Sequence, residues 1–280
     1  MKTILLPTDF SENSWNAIKY ALKFYENSTC TFYLLHVNIL NYAMAEDSLH
    51  IDTEDLIENT FIKPSKLQLR KTLKRISQEF PVNKNHHFFM LTDYNFFIDS
   101  VRKYVDEKKI DMIIMGTKGA TGLKKIIIGS NAADVIKKVK CTTLIVPENA
   151  TFTNLNEIAF PTDYFLTYGV NLLKPIYEII EMHHASLRVV HISHDFEKLS
   201  LSQQDNKDLL QDYFSNFEMR FYNLTNKDVE DAIECFVQSR DIDMIAMVAK
   251  NLNFFQQILF HSKVEEISYH TNIPFLVIHE

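Results

Sequence analysis

The sequence predicts an α/β protein made of two doubly wound parallel-sheet domains, each with about five strands flanked by helices. Three observations carry this expectation: an ordered internal repeat, apolar strand-like runs alternating with amphipathic stretches, and glycine confined almost wholly to one segment. At 280 residues, 46% of them hydrophobic, the chain is long enough for two cores at roughly 100–200 residues per domain.

The repeat is read from four matches in the same order. Ile4 to Phe10 corresponds to Ile158 to Tyr164, and both runs end in Pro-Thr-Asp-aromatic, 154 residues apart. Leu34-Leu35-His36-Val37 matches Val189-Val190-His191-Ile192 at 155, whereas Ile110 to Met115 matches Ile242 to Met247 at 132. Leu144-Ile145-Val146 matches Leu276-Val277-Ile278 at the same 132. The second copy is therefore shorter by 22 or 23 residues between its second and fourth strands. Much of the first copy's surplus lies in the acidic stretch Asn41 to Thr60, which reads as a surface excursion with one helical turn. The polar segment Asn149 to Asn156 divides the chain into domains 1–150 and 151–280.

In the first copy, Thr3 to Leu6, Thr31 to Val37, His86 to Leu91, Met112 to Met115 and Thr143 to Val146 read as strands covered on both faces. A helix begins near Ser11, whose hydroxyl suits a cap, and turns Trp15, Ile18, Leu22 and Tyr25 inward. Later helices present Leu69, Leu73, Ile76 and Phe80, then Ile98, Val101 and Val105, then Ala132, Val135, Ile136 and Val139. Strands separated by helices give parallel pairing with right-handed crossovers. Ligands of such sheets collect beyond the carboxyl ends of the strands, where the winding reverses. The tails of the first and fourth strands are the places to search.

Composition excludes several classes. No 18-residue apolar run is present and the first residues lack a signal-peptide pattern, so the expectation is a cytoplasmic protein with no membrane partner. Cys30, Cys141 and Cys235 form no CxxC, which argues against a disulfide framework or thiolate metal site. His183-His184 and the pair His191 and His194 lack metal-ligand spacing, so no metal ligand is assigned. A net charge of -7, with aromatics not interleaved with basic patches, argues against nucleic acid. The charge is uneven: residues 1 to 150 hold 20 Lys+Arg against 17 Asp+Glu, and the remainder 9 against 19.

Only 5 glycines occur, and four of them, Gly116, Gly119, Gly122 and Gly129, fall within 14 residues after the fourth strand. Neither GxGxxG nor GxxxxGK[ST] is satisfied. Glycines at these places suit φ > 0 or close approach by a ligand, and a helix starting at Gly129-Ser130 offers unpaired N–H groups to an anion. Lys118, Lys124 and Lys125 make the neighbourhood cationic. A glycine-rich surface loop followed by a helix capped by Ser130 accounts for the same residues, and both readings stay open at this level.

Gly116-x2-Gly119-x9-Gly129-Ser130 resembles the signature of the universal stress protein family, as do Pro-Thr-Asp after the first strand, His36-Val37 and Ile113 to Gly116. With the second copy, the resemblance covers nearly the whole chain, as in tandem members. It implies an adenine nucleotide alpha hydrolase-like fold that binds ATP, with or without Mg, and pairs domains through their last strands, within the chain or as a homodimer. On that resemblance Asp9 meets the adenine-ribose end, Val37 the base, and Gly116, Gly119, Gly129, Ser130 and Asn131 surround ribose and phosphates. Pro7 and Thr8 shape the first-strand loop, and Met115 lines the pocket. No residue is assigned as catalytic, and His36 reads as structural because no partnered nucleophile is evident.

The second copy departs at the signature, where Gly116, Gly119 and Gly129 become Val248, Asn251 and His261, and only Ser262 matches Ser130. Domain 151–280 is accordingly expected to be degenerate and to complete a pseudo-dimer, with a different ligand bordered by Asp163, His191, Asn251 and His261 as the alternative. Phe254, Phe255, Ile258 and Leu259 replace part of the glycine loop there. The resemblance implies a nucleotide-responsive stress or regulatory module, read by an unidentified regulatory protein, with little or no hydrolysis. A slow ATPase or phosphoryl-transfer enzyme, and a tandem scaffold that binds no nucleotide, are the competing classes.

Overall fold

The computed structural model describes residues 1–39, 53–117, 129–193, 198–226, 229–249 and 273–279. In its first half β1 (Lys2–Pro7), α1 (Glu12–Phe24) and β2 (Cys30–Ile39) are followed by α2 (Thr53–Ile57) and a π-helical turn, Glu58–Ile62. Then come α3 (Lys63–Glu79), β3 (His86–Asn95), α4 (Phe97–Lys108), β4 (Met112–Gly116), α5 (Ser130–Lys138) and β5 (Thr143–Val146). The second half repeats the scheme with β6 (Glu157–Thr162), α6 (Val170–His183), β7 (Ser186–Ser193) and α7 (Leu201–Tyr213). It closes with β8 (Met219–Thr225), α8 (Val229–Ser239), β9 (Met244–Val248) and β10 (Phe275–Ile278).

Among the described residues ten strands form one sheet in the order β3-β2-β1-β4-β5-β10-β9-β6-β7-β8. Pairing is parallel within each half, and the halves meet where β10 runs antiparallel to β5, with Leu276 opposite Leu144. Winding reverses between β1 and β4, which pair only through Ile4↔Met112 and Leu5↔Ile113. Their tails, Pro7 to Asp9 and Met115 to Thr117, therefore flank a crevice at the carboxyl edge.

The apolar stripes read from the sequence explain the layering. One sheet face is covered by α1, α3, α6 and α7 through Trp15, Ile18, Leu69, Leu173, Ile176 and Phe214. The opposite face is covered by α4, α5 and α8 through Val101, Val135, Ile136, Ile233 and Phe236. Each core runs through both halves, because the antiparallel seam brings equivalent helices to the same face.

Of the excursion Asn41 to Thr60, residues 41–52 lie outside the described residues; from Thr53 on it is helical and continuous into α3. The segment between the halves is packed: Asn16 Nδ2 donates to the Pro147 and Ala150 carbonyls at 3.1 and 2.9 Å. Phe152 sits edge-on to Tyr20 and Phe24, with ring centroids at 5.3 and 5.5 Å, and against His183 of α6 at 5.5 Å.

Candidate functional site

The turn after β1 is built from its own side chains. The Phe10 N–H donates to Thr8 Oγ1 at 3.0 Å, and Thr8 Oγ1 lies 2.9 Å from Ser14 Oγ. Ser11 donates to Asp9 Oδ1 from both its hydroxyl (2.5 Å) and its N–H (3.0 Å), while its own oxygen caps α1 through the Ser14 N–H at 3.2 Å. Ser11 is thus the N-cap the sequence indicates, and Asp9 braces it from two residues further out. Burial pushes the Asp9 carboxyl up, but the hydrogen bonds from Ser11 and Ser14 outweigh it and hold the group below the ordinary aspartate range.

Phe10 takes the left-handed conformation, φ 65°, which costs a non-glycine residue energy that neighbours must offset. Its ring stacks on His36 at 4.4 Å, and His36 Nδ1 lies 2.8 Å from the Thr8 carbonyl, so that nitrogen carries the proton. The second half repeats the device. Tyr164 has φ 59°, its N–H donates to Thr162 Oγ1 at 2.9 Å, its ring stacks on His191, and His191 Nδ1 meets the Thr162 carbonyl at 3.0 Å. The repeated Pro-Thr-Asp-aromatic and the matching histidines are therefore a strand-end brace in both halves.

Beyond this brace, at the crevice, a cavity of about 490 Å³ opens. Pro7, Thr8 and Asp9 line it from β1, Val37 from β2, and Met115 and Gly116 from β4. Gly129, Ser130 and Asn131 line it from the start of α5. Every sequence-predicted site residue within the described part is thus brought to one cavity. Gly119 lies outside the described residues, as do Lys118, Lys124 and Lys125 and, in the second half, His194, Asn251, His261, Ser262 and the Phe254 to Leu259 run.

The cap of α5 differs from the expected one. Gly129, φ -59°, is the N-cap and Ser130 the first helical residue, so no side chain bonds the helix start. The first N–H groups of α5 have no intrahelical partner, and Gly129 to Ala132 line the cavity, an arrangement that favours an anion. The described signature glycines do not need positive φ. Gly116 is a close-approach glycine, but the close neighbour is α1: an added Cβ would lie 2.8 Å from Asn13 Oδ1 and 2.9 Å from the Asn13 carbonyl oxygen.

Sequence reading missed Asn13, Asn38, Phe61 and Phe97, which also line the cavity. Asn13 Oδ1 is buried and lacks a hydrogen-bond partner among the described residues, leaving an acceptor for a ligand donor. Nothing in a single sequence marks these residues, because Phe61 and Phe97 come from segments distant from the repeated motifs and Asn13 and Asn38 lie just beyond them.

In the second half, among the described residues, side chains engage the equivalent strand-end turn. Thr162 Oγ1 bonds the buried Tyr168 hydroxyl, a tyrosine standing where the first half has Ser14. Asn206 Nδ2 and Gln203 Nε2 of α7 donate to the Tyr164 and Asp163 carbonyls at 2.7 and 2.9 Å. Val248, 5% exposed, occupies the position of Gly116. It is accommodated because α6 starts at Val170, seven residues after Asp163, whereas α1 starts three after Asp9.

Among the described residues no cluster of His, Cys, Asp or Glu is arranged to hold a metal ion, and no helix is long and apolar enough to cross a membrane.

Known proteins resemble this chain in sequence along its first half and in fold along both. Residues 1–79 and 98–147 match the profile of the universal stress protein family. Universal stress protein MJ0531 of Methanocaldococcus jannaschii is 30% identical over 148 residues, covering 52% of this chain and 81% of that protein. Universal stress protein MJ0577 of the same organism is 27% identical over 164 residues, covering 52% and 94%. The crystal structure of a universal stress protein from Archaeoglobus fulgidus superposes with a TM-score of 0.70 over 98% of this chain and 97% of that one. At 16% identity that is a likeness of fold.

Proposed function

Because the chain belongs to the universal stress protein family, with the family pattern in its first half and the fold repeated in its second, we propose that it is an ATP-binding module in which residues 1–150 hold the nucleotide. Residues 151–280 form a degenerate copy that completes an internal pseudo-dimer, and the architecture is adenine nucleotide alpha hydrolase-like. The observation that carries this reading is the cavity at the winding reversal, which gathers the signature residues around the uncapped start of α5.

The chemistry of the lining fits an adenine nucleotide. Asp9 Oδ2 and the orphaned Asn13 Oδ1 are acceptors suited to ribose or base donors. The Ser130 hydroxyl and the N–H groups at the start of α5 suit phosphate oxygens, and any Mg that accompanies ATP would lie against those phosphates. Bound ATP supplies charge and a base that the apo cavity lacks, so it biases whichever arrangement of the cavity walls it fits better. Turnover requires a group that orients the attacking water; on this reading Asp9 Oδ2 is taken up by ribose or base donors, and His36 Nδ1 is bonded to the Thr8 carbonyl. This supports binding with little or no hydrolysis in a stress or regulatory module read by another protein. β5 is already paired with β10, which supports pairing inside the chain over a homodimer through that strand.

The test is to denature the natively purified chain and identify the small molecules released. Retained ATP or AMP, or tight ATP binding by calorimetry on the emptied protein, is the expected result. Absence of both sinks the proposal, and sustained phosphate release with Mg would transfer the chain to the enzyme class.

A further inference from the structure

We propose, on the nucleotide reading above, that Phe61 is the base-stacking wall of the first-half cavity, so that the site selects a nucleobase-bearing phosphate over a bare polyphosphate. Phe61 lies on the π-helical turn Glu58–Ile62, where the Lys63 N–H reaches back five residues to the Glu58 carbonyl. The extra residue in such a turn rotates its side chains away from the α-helical register, and π turns concentrate at functional sites. Here local bonds hold the turn: Asn59 Nδ2 donates to the Asp55 carbonyl and Lys63 Nζ to Asn59 Oδ1, each at 2.7 Å, and Lys66 pairs with Glu58 at 3.1 Å.

The ring is fixed and yet available. Tyr94 of β3 stacks against it, with centroids 4.7 Å apart and planes 23° from parallel, and the ring also lines the cavity. Behind it, the Ser65 hydroxyl lies 2.7 Å from the Phe61 carbonyl and 3.1 Å from Asn38 Oδ1, which ties the turn to the end of β2. Phe61 belongs to neither apolar core. An aromatic ring half-open to a cavity and backed by a second ring is a ready platform for a base. The turn sits in the stretch by which the first half exceeds the second, so the ring has no counterpart among the described residues of the second half.

The experiment measures binding of ATP, AMP and inorganic tripolyphosphate to the full chain and to Phe61→Ala, Phe61→Leu and Phe61→Trp. Phe61→Ala and Phe61→Leu are expected to weaken ATP and AMP by the same factor, about tenfold, and to leave tripolyphosphate unchanged. Phe61→Leu keeps apolar volume, so it reports on the π-face if the alanine variant folds poorly, and Phe61→Trp should retain nucleotide affinity. Unaltered ATP affinity in the folded alanine and leucine variants overturns the inference alone, as does equal loss of ATP and tripolyphosphate. A wild-type chain that binds neither ATP nor AMP overturns it together with the nucleotide reading.

Discussion

Gly116 shows how one missing methyl can serve packing and a site together. Its position is closed to a Cβ by Asn13, part backbone and part side chain, so even Gly116→Ala must displace the start of α1. Overpacking of this kind costs about 1–3 kcal/mol, and a thermal melt of Gly116→Ala should show a lowered Tm together with weakened ATP binding. Importing valine, the second-half residue, is then not a silent change at the fold level, because the second half tolerates Val248 only with a later helix start. An alanine variant as stable as wild type would mean that Asn13 yields freely. His183 makes the opposite kind of residue-scale statement. Its ring lies 4.5 Å from that of Phe24, its Nε2 has no partner among the described residues, and burial lowers its pKa to about 4. With the folded value below the ordinary 6.5, the unfolded chain takes up a proton first, so stability falls as pH drops from about 6.5 to about 4. His183→Phe should flatten that part of the stability-versus-pH curve, and an unchanged slope would show that His183 is not its source.

At the level of elements, what distinguishes the two halves is where helices start. α1 begins directly after the brace and lets Ser14 reach Thr8, leaving the space beyond β1 open. α6 begins later, and the intervening chain sends Tyr168 into the corresponding place. α5 begins on a glycine cap with no side chain bonding its start, and the segment that follows β9 in the second half lies outside the described residues. The cavity thus follows from two helix starts and one π-helical turn acting on a scaffold that is otherwise duplicated.

For the whole molecule, the decisive contact is the antiparallel seam. Leu144 and Leu276 are fully buried where β5 and β10 pair, and cores on both sheet faces continue across it. An unpaired β5 would be an exposed edge, a liability that the second half removes. Leu276→Ala is expected to cost about 2–5 kcal/mol and to lower one shared unfolding transition, seen as coincident near- and far-ultraviolet circular dichroism melts. Two separated transitions would show that the halves unfold independently. The aromatic group of Tyr20, Phe24, Phe152 and His183 and the 2.6 Å Lys2–Glu178 pair add contacts between α1, β1 and α6, though that ion pair is partly exposed and contributes little.

The sequence by itself determined the duplication, the succession of strands and helices in the first copy and the inward faces of those helices, because buried strands and amphipathic helices write their periodicity locally, whereas most cavity residues were marked by the resemblance of their motifs to a family pattern. It also marked Ser11 as a cap, since a cap is a contact across three residues. Only the tertiary structure decided that the shared Pro-Thr-Asp-aromatic and His36 form a brace, and that Gly116 is demanded by Asn13. The same holds for the entry of Asn13 and Phe61 into the cavity. Those facts depend on where separate segments meet in space, and residues more than fifty positions apart, such as Asp9 and Phe61, leave no local pattern that records their meeting.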